Sequence, residues 1–105
     1  MNCTDKIYHQ NNFGFARKCT CQGAVHVNFG NVSILLNREQ ISDFSQYVTE
    51  AITSSCSVTD HDERSIYLPT RDYCLMFALT YNELHALAEI LDQTLLIIEI
   101  EDVLL

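Results

Sequence analysis

Cys19-Thr20-Cys21 is the most pointed chemical feature of the chain. On an extended backbone, residues two apart share one face with Cα atoms about 7 Å apart. That separation suits two thiolates on one soft metal ion better than a disulfide, whose Cα atoms lie closer. Cys19 and Cys21 are therefore candidate ligands for zinc. A tetrahedral site needs two more donors, and Cys3, His9, His26 and Cys56 are the available ones. None stands at the short spacing of a second knuckle. The competing reading is ordinary, partly buried thiols, since cysteine behaves as a small hydrophobe.

A second constellation lies in the polar run 53–64, where Cys56 is five residues from His61 and Asp60 or Asp62 could orient the imidazole. A cysteine-dependent enzyme is the reading this would support, but no sequence feature supplies an oxyanion site. Asp60-His61-Asp62-Glu63 offers carboxylates to a divalent cation without the glycine and ordered spacing of a calcium loop, so it reads as a solvated linker. His26 and His85 are single imidazoles without a partner in sequence. Glycine-rich phosphate cradles, a nucleophile elbow, HExxH and a dinucleotide fingerprint are all lacking. No catalytic or cofactor-binding residue is assigned, and the sequence favours a non-enzymatic domain.

The elements that would position these residues come from a pattern that occurs twice at an offset of 43 residues. Val32, Ile34 and Leu36 correspond to Leu75, Phe77 and Leu79; Ile41, Phe44, Val48 and Ile52 correspond to Leu84, Leu87, Leu91 and Leu95. In both copies an apolar period of two changes to a period near 3.6 at the same point, which reads as hairpin, cap, amphipathic helix. In the first copy, Val25 to Phe29 and Val32 to Ile34 alternate around Gly30-Asn31, a two-residue turn with glycine first, as type II′ requires. Asn37 with Gln40 and Thr80 with Glu83 form capping boxes. The first helix runs to about Ile52, and the second spans at least four turns with Leu84, Leu87, Ala88, Leu91, Leu95 and Ile98 inward.

The expected fold is α+β, a pseudo-duplicated ββαββα unit with its internal repeat at about 24–52 and 65–95. Neither copy can keep its apolar faces dry alone, so the two share one core, with both helices on one face of a mostly antiparallel four-stranded sheet. A strand near Phe13 to Cys19 would make a fifth. Residues 1–12 show no period and read as a loose lead-in to a single domain covering 1–105.

The chain has 105 residues, 48% hydrophobic, with three glycines and one proline, a globular composition. Net charge is −8, divided as +2 over residues 1–36 and −10 over 37–105. Such an acidic surface repels phosphate backbones and anionic lipid, so neither nucleic acid nor membrane is an expected partner. Phe13-Gly14-Phe15-Ala16-Arg17-Lys18, which alone mixes aromatic with basic residues, is too short to reverse this. No apolar run approaches the roughly 18 residues that cross a bilayer. The start lacks the apolar stretch of a secretory signal, and five cysteines are an odd count, so reduced thiols in the cytoplasm are expected.

Apolar residues remain that the core does not claim: Leu35, Tyr67, Cys74, Met76 and Ala78 on the outer sheet face, and Leu96, Ile97 and Ile100 on the second helix. Patches of this kind meet another surface, and a symmetric homodimer is the expected form. Leu35, Tyr67, Met76, Leu96, Ile97 and Ile100 are the candidate interface residues.

Cys21 before Val25-His26-Val27-Asn28-Phe29-Gly30-Asn31-Val32, a capped helix with Phe44, and Ile66-Tyr67-Leu68-Pro69-Thr70 ahead of Phe77-Ala78-Leu79-Thr80 and Glu83-Leu84 resemble a small uncharacterised bacterial protein family. Its members carry a cysteine pair before a Phe-Gly-Asn hairpin, at wider spacing than Cys19 and Cys21. The likeness covers about residues 15 to 95. It implies the fold above and no activity.

Overall fold

The computed structural model describes residues 6–19, 24–70 and 75–104. Its elements are strands β1 (Lys6–Gln10), β2 (Gly14–Cys19), β3 (Ala24–Phe29) and β4 (Val32–Leu36), helix α1 (Arg38–Ser54), strands β5 (Ile66–Pro69) and β6 (Met76–Leu79), and helix α2 (Tyr81–Leu104). The fold is α+β, and hairpin, helix, hairpin, helix follow one another as the sequence predicts. Strands β1 to β4 form an antiparallel sheet in sequence order, while β5 and β6 pair only with each other.

Sheet membership is where the molecule departs from expectation. Residues 6–10 are not a loose lead-in: they make β1, which pairs with β2 from Lys6 opposite Lys18 to Gln10 opposite Phe15. An irregularity between Ile7 and His9 interrupts the register. A bulge of this kind breaks the alternation by which a strand is recognised in sequence. Tyr8, at the bulge, is buried in the core. The Phe13 to Cys19 segment joins the sheet as β2, in register with β3 from Gly14 opposite Phe29 to Cys19 opposite Ala24. A Cβ at Gly14 would collide with the Asn28 carbonyl, so glycine lets the two strands start this close.

The β3–β4 turn has a positive φ at Gly30 (54°) and at no non-glycine residue, the type II′ arrangement. Both capping boxes form. Asn37 Oδ1 accepts from Gln40 N at 2.8 Å while Gln40 Oε1 accepts from Asn37 N at 2.9 Å. Thr80 Oγ1 accepts from Glu83 N at 3.0 Å while Glu83 Oε1 accepts from Thr80 N at 2.9 Å.

The core lies between the helices and the sheet face carrying Ala16, Val25, Val27 and Phe29, joined by Ile41, Val48, Leu84, Leu87 and Leu91. The helices run antiparallel: Ser45 Oγ donates to Asp92 Oδ1 at 2.5 Å, and Arg38 pairs with Asp102 further along. Ile90 and Thr94 are also fully buried, beyond the stripe expected of α2. Wedged against α1 on one side and against β1 and β2 on another, α2 buries more than one stripe, which blurs its amphipathic pattern. Hairpin β5–β6 meets the rest through side chains: Phe77 packs edge-on against Phe29 at 5.4 Å between ring centroids and lies 6.3 Å from Phe44.

Candidate functional site

Cys19 ends β2 with its side chain only 3% exposed, opposite Ala24 in the register. Cys21, Cys3 and Cys74 lie outside the described residues, as does the turn at 71–74. The other proposed ligands do not converge on Cys19. His9 Nε2 is 2.6 Å from Glu89 Oε2 on α2, His26 Nδ1 is 3.4 Å from Arg17 Nη2 across the β2–β3 pair, and Cys56 is exposed just beyond α1. Among the described residues no three His, Cys, Asp or Glu side chains are placed to hold one metal ion.

Cys56 is exposed, whereas His61 is packed at the start of α2. The His61 ring lies 4.6 Å from Tyr81, whose other neighbour is His85 at 4.6 Å, and the His61 carbonyl accepts from Asn82 N at 3.3 Å. Asp60 Oδ1 accepts from the Asp62 amide at 3.0 Å, and Asp62 Oδ1 accepts from Asn82 Nδ2 at 2.9 Å. The acidic run thus fastens the connecting loop to the start of α2. The Asp60 and Asp62 carboxylates accept from a backbone amide and from a side-chain amide.

A polar cluster that the sequence did not signal ties β1 to α2. Asn11 Nδ2 donates to the Ala86 carbonyl at 2.9 Å and to Glu89 Oε2 at 3.1 Å, while Asn11 Oδ1 accepts from the amides of Phe13 and Gly14. The hydrogen bonds from His9 and Asn11 hold the Glu89 carboxyl below the ordinary glutamate range. Lys6 does the same to Glu101 at 3.2 Å. Burial, then the nearby Glu101 carboxylate, pushes the Tyr8 hydroxyl up to about 12. These partners are 75 to 95 residues apart, beyond any local pattern.

Two surfaces stand out among the described residues. On α2, Leu96, Ile100, Val103 and Leu104 are 50%, 49%, 84% and 79% exposed and line a shallow groove with Glu99. Their spacing puts them on one side of the helix. Ile97, by contrast, is half-buried against the core. Leu35 is exposed on the four-stranded sheet, and Tyr67 and Met76 are exposed on the β5–β6 pair.

The second surface is a cleft of about 690 Å³ between β4 and β6. Val32, Ser33 and Ile34 line one side and Leu75 to Leu79 the other, with Phe29 among its apolar residues. The turn end of β4 lies at the β6–α2 junction, whereas Leu36 borders a smaller hollow with Pro69 and Thr70. The two edges therefore run in opposite directions. Arg64 stands at the α2 end, its Nη1 and Nη2 donating to Glu83 at 2.7 and 2.9 Å and Nη1 also to the Ala78 carbonyl at 3.2 Å.

No described helix is long and apolar enough to cross a membrane. A family model described as "Family of unknown function (DUF6686)" matches residues 1–103. No curated protein and no solved structure matches the chain.

Proposed function

The chain belongs to this family of unknown function, and we propose that it is a small non-enzymatic interaction domain that pairs with a second copy of itself through the outward side of α2. The observation that carries this reading is the contiguous exposed stripe of Leu96, Ile100, Val103 and Leu104 on a helix whose opposite side is fully committed to the core. Leaving such a stripe in water forfeits roughly 25 cal/mol per Å² of apolar area.

Small homo-oligomers favour two-fold symmetry, in which one patch meets its own copy. Two α2 helices crossing antiparallel at Ile100 would set Leu96 of each against Val103 and Leu104 of the other. The charges beside the stripe are compatible with this: Lys6 pairs with Glu101 and Arg38 with Asp102, leaving Glu99 as the acid that lines the groove. A stable interface buries about 1,200–2,000 Å² in total, so contact must extend past these four side chains to their neighbours.

Size-exclusion chromatography with light scattering tests the reading. The wild-type chain is expected to be dimeric at micromolar concentration. Ile100→Asp and Leu96→Asp should be monomeric yet folded, with melting midpoints that no longer depend on protein concentration, and Met76→Asp should remain dimeric. A monomeric wild type, or a dimer that survives both α2 substitutions, overturns it.

A further inference from the structure

We propose that the cleft between β4 and β6 takes an extended segment of a partner polypeptide as an added strand, hydrogen-bonded through its backbone to both edges. This site is distinct from the α2 stripe and does not depend on self-association.

The hydrogen-bonding phase of each edge follows from its turn. Closure of the β3–β4 hairpin by two residues makes Phe29 and Val32 a hydrogen-bonded pair, and pairs alternate along an antiparallel ladder. Val32, Ile34 and Leu36 therefore bond inward to β3, while the N–H and C=O groups of Ser33 and Leu35 point away from it. In the second hairpin Thr70 N donates to the Leu75 carbonyl at 3.1 Å, which assigns Leu75, Phe77 and Leu79 to β5 and turns the backbone groups of Met76 and Ala78 outward. The hydrogen bond from Arg64 to the Ala78 carbonyl is an independent sign of that phase. Among the described residues neither β4 nor β6 has a strand partner on its cleft side, which leaves the outward groups of Ser33 and Leu35 on one wall and of Met76 with the Ala78 N–H on the other, while the Ala78 carbonyl already accepts from Arg64; such edges are the chemistry that recognises an extended backbone. Because the edges run oppositely, one strand between them is antiparallel to one and parallel to the other, an ordinary mixed sheet.

Charge selects among extended segments. Arg64 at one end is neutralised by two hydrogen bonds to Glu83, and the acidic run ending at Glu63 adjoins it. Asp43 lines the hollow at the other end. The apolar side chains of Ile34, Phe29 and Phe77 form the cleft's interior. The occupant this describes alternates apolar and polar residues and carries Lys or Arg at both ends.

A fluorescein-labelled peptide, Lys-Val-Thr-Val-Thr-Val-Lys, titrated with the full chain and followed by anisotropy, tests the proposal. Saturable binding is expected, weakened about tenfold or more when alternate peptide amides are N-methylated, as loss of one or two hydrogen bonds requires. Replacing the terminal lysines by glutamates should weaken it as well. Ser33→Pro removes an N–H that faces the cleft rather than β3, an edge position that tolerates proline, so binding should fall about tenfold while the hairpin persists. No saturable binding up to millimolar chain, equal binding of the N-methylated peptide, or unchanged binding by a folded Ser33→Pro variant overturns the proposal. The N-methylated peptide decides the matter even where the proline variant fails to fold.

Discussion

Tyr8 shows how a residue in a segment without sequence signal becomes a determinant of the fold. It sits at the bulge of β1, 7% exposed, against the Glu101 carboxylate, and both burial and that charge disfavour its phenolate. The folded state therefore holds the Tyr8 proton more tightly than the unfolded chain does. Its ordinary value is 10.0 and its folded value about 12, so stability is intact below pH 10 and declines between the two values as the unfolded chain ionises first. Wild-type melting midpoints should fall over that interval. Tyr8→Phe should flatten this part of the profile, and a slope unchanged by the substitution would show that another group is responsible. Arg64 and Asn11 act on the same scale: each side chain bridges segments far apart in sequence, through Glu83 and the Ala78 carbonyl or through Glu89 and the Ala86 carbonyl. Neither belongs to a recognisable motif.

At the level of elements, the two capping boxes are equivalent in sequence and unequal in setting. Asn37 and Gln40 are exposed, so water can replace the lost side chain when Asn37 is truncated. Thr80 is buried, and its partner Glu83 also receives Arg64. Thr80→Ala should therefore destabilise the protein by about 1–2 kcal/mol, more than the roughly 1 kcal/mol or less expected for Asn37→Ala. Urea denaturation of both variants measures the difference, with Thr80→Ser expected to recover most of the loss. Equal costs would mean that the surroundings of α2 add nothing to its cap. The turns and caps were legible beforehand because each is decided by residues three or four apart. Strand β1 was not, since its bulge removes the alternation and its reason for pairing, the core beneath Tyr8, is supplied from elsewhere.

For the molecule as a whole, net charge and the α2 stripe oppose each other. Two copies at −8 repel at long range, whereas the apolar contact acts only on touching. Raising ionic strength from about 0.01 to 0.15 M shortens the screening length from roughly 30 to 8 Å. The proposed dimer should consequently tighten over this range, read as a lower dissociation constant in analytical ultracentrifugation. Association that weakens with salt would point instead to ionic contacts and against the α2 stripe. The candidate chemistry was less legible than the fold. Cys56 is exposed while His61 packs against Tyr81, and of the described ligands proposed for a site with Cys19, His9 lies against Glu89, His26 against Arg17, and Cys56 is exposed. Composition identifies donors; their directions depend on which strands neighbour one another.

The sequence by itself determined the two hairpins, the glycine-first turn, both capping boxes, the helix stripes and the α+β class, because these rest on backbone preference and apolar spacing over a few residues. Tertiary structure alone decided that β1 extends the sheet beyond β2, that α2 is buried on more than one side, and that β4 and β6 face each other across a cleft instead of pairing. Those outcomes depend on packing among side chains such as Phe29, Phe44 and Phe77, which come from three separate elements and join only when the chain closes on itself.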